Sequence, residues 1–380
     1  MEGKCYGKNF RLGMLGGGQL GRMLIQEAMN YDVHVHCLDP DVNAPCSTLA
    51  ASFQVGDLND FDAVYAFGKD KSLVTIEIEN VNIAALEKLE KEGILVFPQP
   101  HVLSMIKDKG IQKQFYADNK IPTAPFQLVA NAEEAKKKAQ VPFVQKLRTG
   151  GYDGKGVQVV STENDWSKLF DAPSVLENKI PFQKELSVIV VRNLKGETAV
   201  YPSVECEFNP EANLVEFLFS PANITAEIEQ KAQELAILVA EKIGIVGILA
   251  VEMFLTNDNE LLVNEIAPRP HNSGHQTIEG NETSQFEQHL RSILNWPLGS
   301  TKITQPAVMI NLLGEKNYEG SAIYEGLQEA ISMPGVHIHL YGKETTKPFR
   351  KMGHVTVTSS EIETAKKNAR IVQENLKVKA

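Results

Sequence analysis

A chain of 380 residues is too long for a single hydrophobic core, so two or three domains are expected. Its 43% apolar and 23% charged residues match a soluble globular protein, and 38 basic against 48 acidic side chains leave a net charge of −10, which argues against duplex nucleic acid or an anionic membrane as partner. No apolar run reaches the ~18 residues of a membrane span, the first ten residues lack a signal-peptide core, and four cysteines without a Cys-x-x-Cys pair favour neither a disulfide scaffold nor a thiolate zinc site, so a cytoplasmic location is expected.

The predicted elements begin with a strand over 11–15, the glycine turn Gly16-Gly17-Gly18-Gln19-Leu20-Gly21, and a helix on which Leu20, Met23, Leu24 and Ala28 share one face. Val33, Val35 and Cys37 alternate as a second strand, closed by Asp39-Pro40. Runs at 73–78 and 94–97 supply two more, with a helix through Ile83, Leu86 and Leu89 between them. This alternation predicts a parallel sheet covered on both faces, and Pro98-Gln99-Pro100 predicts a boundary. The glycine turn satisfies G-x-G-x-x-G between strand and helix, and Asp39 stands where a ribose-binding acid would. It reads as a dinucleotide site, as another phosphate or small-anion site, or as a tight packing turn. Glu77-Ile78-Glu79-Asn80 ends a strand, where open α/β sheets bind ligands; an acid cluster at a helix start fits equally.

After a break at Ile121-Pro122-Thr123-Ala124-Pro125, a helix and a strand lead to Gly150-Gly151-Tyr152-Asp153-Gly154-Lys155-Gly156, between strands over 142–147 and 157–160. Without Walker A spacing, this cluster reads as a hairpin tip whose amides, with Lys146 and Arg148 at its base, suit nucleotide phosphates, or as an ordinary flexible hairpin. Apolar runs at 186–191, 199–204 and 214–219 predict an antiparallel sheet. Ile228, Ala232, Leu235, Ala236 and Val239 predict an amphipathic helix, followed by strands at 245–254 and 260–266. Glu252 and Glu265 interrupt those last two strands. A two-residue loop at Asp258-Asn259 pairs them across the hairpin, roughly 5 Å apart on one face. Facing carboxylates require a proton or cation between them. An oxygen-only pair suits Mg²⁺ held together with substrate phosphates; paired acids moving protons are the alternative, and a slipped register would separate them.

The segment 267–275, with Arg269, His271 and Asn272, reads as a substrate-orienting loop, because Pro270 and Gly274 break the helix on which His271 and His275 would be paired metal ligands. After Trp296-Pro297-Leu298-Gly299 a small α+β unit is expected: a strand at 307–312, a helix near 318–330, two strands around a basic loop, and a closing helix. In that loop Lys343, Lys347, Arg350 and Lys351 either hold a phosphomonoester or form a solvated hairpin. No Ser-His-Asp or Cys-His grouping is legible, so covalent catalysis is not expected.

In order and over essentially the whole chain, GMLGGGQLGRM, EIEN, GGYDGKG, NEIAPRPHNSGH and RKMGH resemble the 5-(carboxyamino)imidazole ribonucleotide synthases of the ATP-grasp superfamily. The resemblance implies an α/β and α+β, ATP-grasp fold of three domains: a parallel α/β domain over 1–100, an antiparallel ATP-grasp domain over 101–299 with a mobile lid at about 121–180, and a C-terminal α+β domain over 300–380. It implies a cytoplasmic homodimer of purine biosynthesis that uses ATP, bicarbonate and 5-aminoimidazole ribonucleotide, with Mg²⁺ or alternatively Mn²⁺. The reaction would pass through carboxyphosphate and release ADP and phosphate. Neither nucleic acid nor membrane is implied as a partner.

For ATP the resemblance implies Lys109 and Lys146 at the phosphates, with Gly151, Tyr152, Asp153, Gly154, Lys155, Gly156 and Val157 closing over them. Glu177, Asn178, Lys179 and Ile180 would line the adenine, Glu185 would hold the ribose, and Asn264 would stand beside a metal carried by Glu252 and Glu265. For the ribonucleotide it implies Gly18, Gln19, Leu20, Glu77, Arg269, His271, Asn272, Ser273, Lys343, Arg350 and Lys351. Tyr152, Asp153, Arg269 and His271 would lie nearest the chemistry. The glycine turn thereby serves a ribonucleotide, not a dinucleotide. Three residues depart from the family pattern: Lys109 where Arg is common, Phe208 where His is frequent, and Gln276 where an aromatic is usual.

Overall fold

The computed structural model describes residues 4–151, 156–209 and 214–380. The chain opens with β1 (Arg11–Leu15), α1 (Gln19–Asn30), β2 (His34–Asp39), β3 (Ser52–Val55), α2 (Phe61–Gly68), β4 (Leu73–Ile76), α3 (Ile83–Lys91) and β5 (Leu95–Val96). These strands form one parallel sheet in the order β3-β2-β1-β4-β5. The predicted sheet is present, but the sequence reading missed β3 and α2. β3 lies at an edge and is largely exposed, so it carries no alternation, and α2 is a two-turn helix. Side-chain caps start α2 and α3: Asp60 accepts from the Ala63 N–H and Asn82 from the Ala85 N–H. The proline-rich tripeptide is a helix start. Pro100 occupies the first turn of α4 (Pro100–Lys107), where a missing N–H costs nothing, and α5 (Lys109–Asp118) follows.

A four-stranded antiparallel sheet comes next: β6 (Phe126–Val129), α6 (Ala132–Lys138), β7 (Phe143–Leu147), β8 (Val157–Val160) and β9 (Ser174–Asn178), in the strand order β6-β9-β7-β8. Then come β10 (Phe182–Arg192), β11 (Thr198–Val200), β12 (Val204–Asn209), β13 (Leu214–Ser220), α7 (Ala226–Ile243), β14 (Gly247–Thr256) and β15 (Leu261–Ala267). The apolar run at 199–204 is thus two short strands rather than one. α7 ends at Gly244, whose φ of 70° suits the left-handed cap. Its buried stripe, Ala232, Leu235, Ala236 and Val239, packs on Val188, Val190 and Leu249 of β10 and β14 to make the central core.

Beyond α8 (Thr277–Gly280) and α9 (Gln285–Ile293), β16 (Ala307–Leu313) joins the same sheet by pairing with β13. β17 (Gly320–Ser321), β18 (Ile323–Glu325) and α10 (Leu327–Ile331) replace the helix expected over 318–330. Gly320 and Gly326, at φ 148° and 77°, interrupt that stretch where the helix would have to run. β19 (Val336–Leu340), β20 (Thr345–Thr346), β21 (Lys351–Thr358), α11 (Ile362–Asn375) and β22 (Lys377–Lys379) complete the chain. Among the described residues the large sheet has nine strands, ordered β15-β14-β10-β12-β13-β16-β21-β19 with β11 on β10. Its hydrogen bonds therefore run on past residue 300, and α11 covers the C-terminal strands through Ala365, Ala369 and Val372. No helix of the described residues is long and apolar enough to cross a membrane.

Candidate active site

The Glu252–Glu265 pair forms, by a different register from the expected one. Asn259 adopts φ 62° in a three-residue turn, so Leu255 faces Leu261 and Met253 faces Val263. A bulge after Glu252 then shifts the ladder by one residue, and Glu252 stands opposite Glu265. The extra residue is Asn264. Burial along β15 alternates until Asn264 and Glu265, which both turn to the open face. The bulge therefore presents an amide and two carboxylates side by side, a common use of bulges near sites.

Lysines surround this group. Lys109, at the start of α5, forms an ion pair with Glu265, and Lys146 Nζ on β7 donates to Asn264 Oδ1 at 2.8 Å. Lys146 also lies 3.0 Å from Glu177 Oε2, and Lys113 Nζ lies 3.1 Å from Glu177 Oε1. Burial alone would raise the Glu177 and Glu265 carboxyls, but these lysines outweigh it and hold both below the usual range. The other two acids go the opposite way. Burial, with Glu265 and Glu185 nearby, pushes Glu252 up to about 7, and burial pushes Glu185 up to about 7 despite Lys146. At two of these carboxylates the lysines outweigh burial, and at the other two burial outweighs the lysines.

A second cluster gathers at the glycine turn. Glu77 Oε1 accepts from the Gly18 N–H at 2.7 Å, Glu77 Oε2 from the Gly21 N–H at 2.5 Å, and Asp39 Oδ2 from the Gly17 N–H at 2.7 Å. The amides expected to cradle a phosphate or dinucleotide are thus satisfied by the chain's own carboxylates. Asp39 is a turn-binding acid, not a ribose ligand. Beside the turn, Lys343 Nζ donates to Gln19 Oε1 and to the Lys351 carbonyl, each at 2.7 Å. Arg350 donates to the Thr345 carbonyl at 2.8 Å and to its hydroxyl at 3.0 Å, at an exposed edge of the same loop.

The loop after β15 spans the two clusters. His271 Nε2 is 3.5 Å from Glu252 Oε1, and Arg269 Nε is 2.8 Å from Glu79 Oε1. Asn272 to Gly274 form a short 3-10 turn, and the side-chain polar atoms of half-buried Asn272, both shielded from water, have no hydrogen-bond partner among the described residues. An amide in that condition suits a ligand.

Three family models match in order: the ribonucleotide synthetase preATP-grasp domain over 10–107, the ATP-grasp domain over 114–286, and the phosphoribosylaminoimidazole carboxylase C-terminal domain over 307–368. The chain is 39% identical to the N5-carboxyaminoimidazole ribonucleotide synthase of Bacillus subtilis, over 91% of this chain and 90% of that one. The chain belongs to the N5-carboxyaminoimidazole ribonucleotide synthase family. These are ATP-grasp ligases of purine biosynthesis. The crystal structure of the Thermotoga maritima synthetase superposes with a TM-score of 0.91 at 41% identity, covering 98% of this chain and 99% of that one. The Aspergillus clavatus synthase in complex with ADP and 5-aminoimidazole ribonucleotide gives 0.87 at 34% identity, covering 96% and 98%. The chain spans about two thirds of the length of plant and yeast relatives called phosphoribosylaminoimidazole carboxylase.

Within this synthase-family chain, the residues read from sequence fall into the two clusters with some exceptions. Tyr152, Asp153, Gly154 and Lys155 lie outside the described residues. Gly151 and Gly156 border them, and Val157 opens β8 opposite Lys146. Glu177 turns its side chain to the lysines while its backbone pairs with Phe126 and Val144, and Asn178, Lys179 and Ile180 follow where the chain leaves β9. Gly18 and Leu20 are half-buried beside Gln19. His275 is not at the cleft. It is buried against Phe286, Tyr341 and His354, and burial keeps its imidazole neutral. Sequence reasoning missed Lys113, Ser187 and the Arg148–Asp108 ion pair of 2.6 Å. Lys113 was detectable: it follows Lys109 by one helical turn.

Proposed function

We propose that this chain carboxylates the exocyclic amine of 5-aminoimidazole ribonucleotide with bicarbonate at the expense of ATP, giving N5-carboxyaminoimidazole ribonucleotide, ADP and phosphate. The observation that supports this best is the bulged hairpin, which sets Glu252, Asn264 and Glu265 between Lys109 and Lys146. These groups suit a polyphosphate and a hard divalent cation. Glu252 fits such a cation because it is a half-buried carboxylate without a lysine of its own, and the donors are all oxygen. Glu252 and Glu265 would hold Mg²⁺ or Mn²⁺, with Asn264 beside them; when bound, the ion neutralises charge on the transferring phosphoryl group.

Lys109 and Lys146 would shift from their carboxylate and amide partners to the phosphate oxygens, stabilising the charge that develops as bicarbonate attacks the γ-phosphorus and the bond to ADP breaks. Arg269 and His271, between the clusters, would orient the resulting carboxyphosphate, or the CO₂ released from it, against the amine. As the C–N bond forms from carboxyphosphate, the bond to phosphate breaks. Asn272 would supply its unsatisfied amide, while Lys343, Arg350 and Lys351 would hold the ribonucleotide phosphate beside Gln19 and Glu77. Closure of the segment at about 121–180, with Gly151–Gly156 at its tip, would exclude water from carboxyphosphate. A cytoplasmic homodimer and the division at residues 100 and 299 complete the proposal.

The experiment is ADP release measured with each of the three substrates and Mg²⁺ omitted in turn. Rates should collapse without ATP, Mg²⁺ or bicarbonate and fall strongly without aminoimidazole ribonucleotide. A rate indifferent to the ribonucleotide would refute the assignment.

A further inference from the structure

His271 is held from behind by Ser273, which is in turn held by Ser187. Ser273 Oγ lies 2.9 Å from His271 Nδ1, the Ser273 backbone N–H points at the same nitrogen from 3.3 Å, and Ser187 Oγ lies 2.7 Å from Ser273 Oγ. Both serines are almost completely buried, at 1% and 2% exposure, so neither hydroxyl exchanges partners with bulk water. Ser187 is on β10 directly opposite Glu252, and Ser273 sits in the 3-10 turn after His271.

The backbone N–H fixes the direction of this chain. It can only donate, so Nδ1 has to present a lone pair; a proton there would meet the Ser273 N–H head on. With Nδ1 an acceptor, the Ser273 hydroxyl donates to it, and Ser187 in turn donates to Ser273. The remaining ring proton of a neutral imidazole is then on Nε2, which faces Glu252 Oε1 at 3.5 Å. We propose that Ser187 and Ser273 are positioning residues that hold His271 as the Nε2–H tautomer and aim that N–H into the cleft beside Glu252. The chemical use of the N–H, donation to an oxygen of bicarbonate or carboxyphosphate, rests on the function proposed above; the tautomer does not. Ser273 is accordingly reassigned from substrate contact to support of His271. Ser187, in an apolar strand, carries no sequence signal that would have marked it.

The test combines a spectrum and kinetics. A long-range proton–nitrogen spectrum of the full chain, labelled at histidine with ¹⁵N, without ligands and assigned with His271→Gln, should give His271 a pyrrole-like Nε2 and a pyridine-like Nδ1. The reverse pattern overturns the proposal. Ser273→Ala should mix the tautomers and lower kcat about tenfold, the worth of one or two hydrogen bonds, with the KM for ATP unchanged. Ser187→Ala should do the same more weakly, and Ser273→Thr should restore both readouts. A fall in kcat with an unaltered His271 spectrum marks a merely structural role and also overturns it. If the wild-type chain does not consume aminoimidazole ribonucleotide, the functional reading fails while the ligand-free spectrum still decides the tautomer.

Discussion

Lys113 Nζ lies 3.1 Å from Glu177 Oε1, and both side chains are almost entirely shielded from water. The other oxygen of Glu177 faces Lys146 at 3.0 Å, so one carboxylate balances two ammonium groups. Burial outweighs Glu177 in its effect on Lys113, whose pKa falls to about 8. Such a group is retained for what it does to its neighbours, because a buried ion pair is weak support for stability in itself.

Removing Lys113 should therefore be costly in two ways. Lys113→Met leaves Glu177 to Lys146 alone and should destabilise the protein by about 3 kcal/mol in urea unfolding. It should also raise the KM for ATP, since Lys146 would be held more tightly by Glu177. Unchanged stability and an unchanged KM together would show that Glu177 is balanced by Lys146 alone.

A second expectation concerns pH. Glu252 is raised from 4.5 to about 7 in the folded protein, so its contribution to stability is complete below pH 4.5 and is lost as the pH rises through about 7. Without metal, Glu252→Gln should accordingly gain in Tm over the wild type as the pH goes from 5 to 8. Because a hard cation requires the ionised carboxylate, Mg²⁺ affinity should increase about tenfold between pH 6 and 8 for a single titrating group. Isothermal titration at both pH values checks this, and a flat affinity would mean that Glu252 is already ionised.

These sites were unequally legible. Glu252 and Glu265 stood out because a charge in an apolar strand is costly, and their pairing was read correctly although the turn and bulge each shift the register by one residue. Only the net alignment survives in the sequence, since the bulge at Asn264 has no glycine or proline to announce it. The glycine turn misled for the opposite reason. Its spacing is that of an anion site, but Glu77, fifty-six residues beyond Gly21, supplies the anion internally, and no local pattern encodes that approach. The helix expected over 318–330 failed because neighbours from distant strands hold the stretch extended: Ile323 to Glu325 pair with Lys377 to Lys379.

The internal anion gives a third expectation. A Cβ on Gly18 would run into Glu77 Oε1, with Glu77 Cδ only 3.2 Å away. Gly18→Ala should displace the carboxylate from both amides and cost about 2 kcal/mol, the loss of two charge-assisted bonds offset by partial rehydration. Thermal unfolding measures this. Glu77→Gln should retain more stability than Gly18→Ala, because an amide oxygen can still accept from one of the two N–H groups.

The last expectation separates the two clusters. Arg350 donates to the carbonyl and hydroxyl of Thr345, far along the chain from the paired glutamates, in the same loop as Lys343 and Lys351. If this loop holds the ribonucleotide phosphate, Arg350 would contribute a charge-assisted bond made equally in ground and transition states. Its loss should then raise KM without changing kcat. Arg350→Ala should raise the KM for aminoimidazole ribonucleotide about tenfold or more and leave the KM for ATP within about twofold. Lys343→Met should have a broader effect, because Lys343 also orients Gln19 and so lies closer to the glycine turn. Steady-state kinetics with each substrate varied in turn decides the matter: equal changes for ATP and the ribonucleotide in Arg350→Ala would place the basic loop outside the ribonucleotide site.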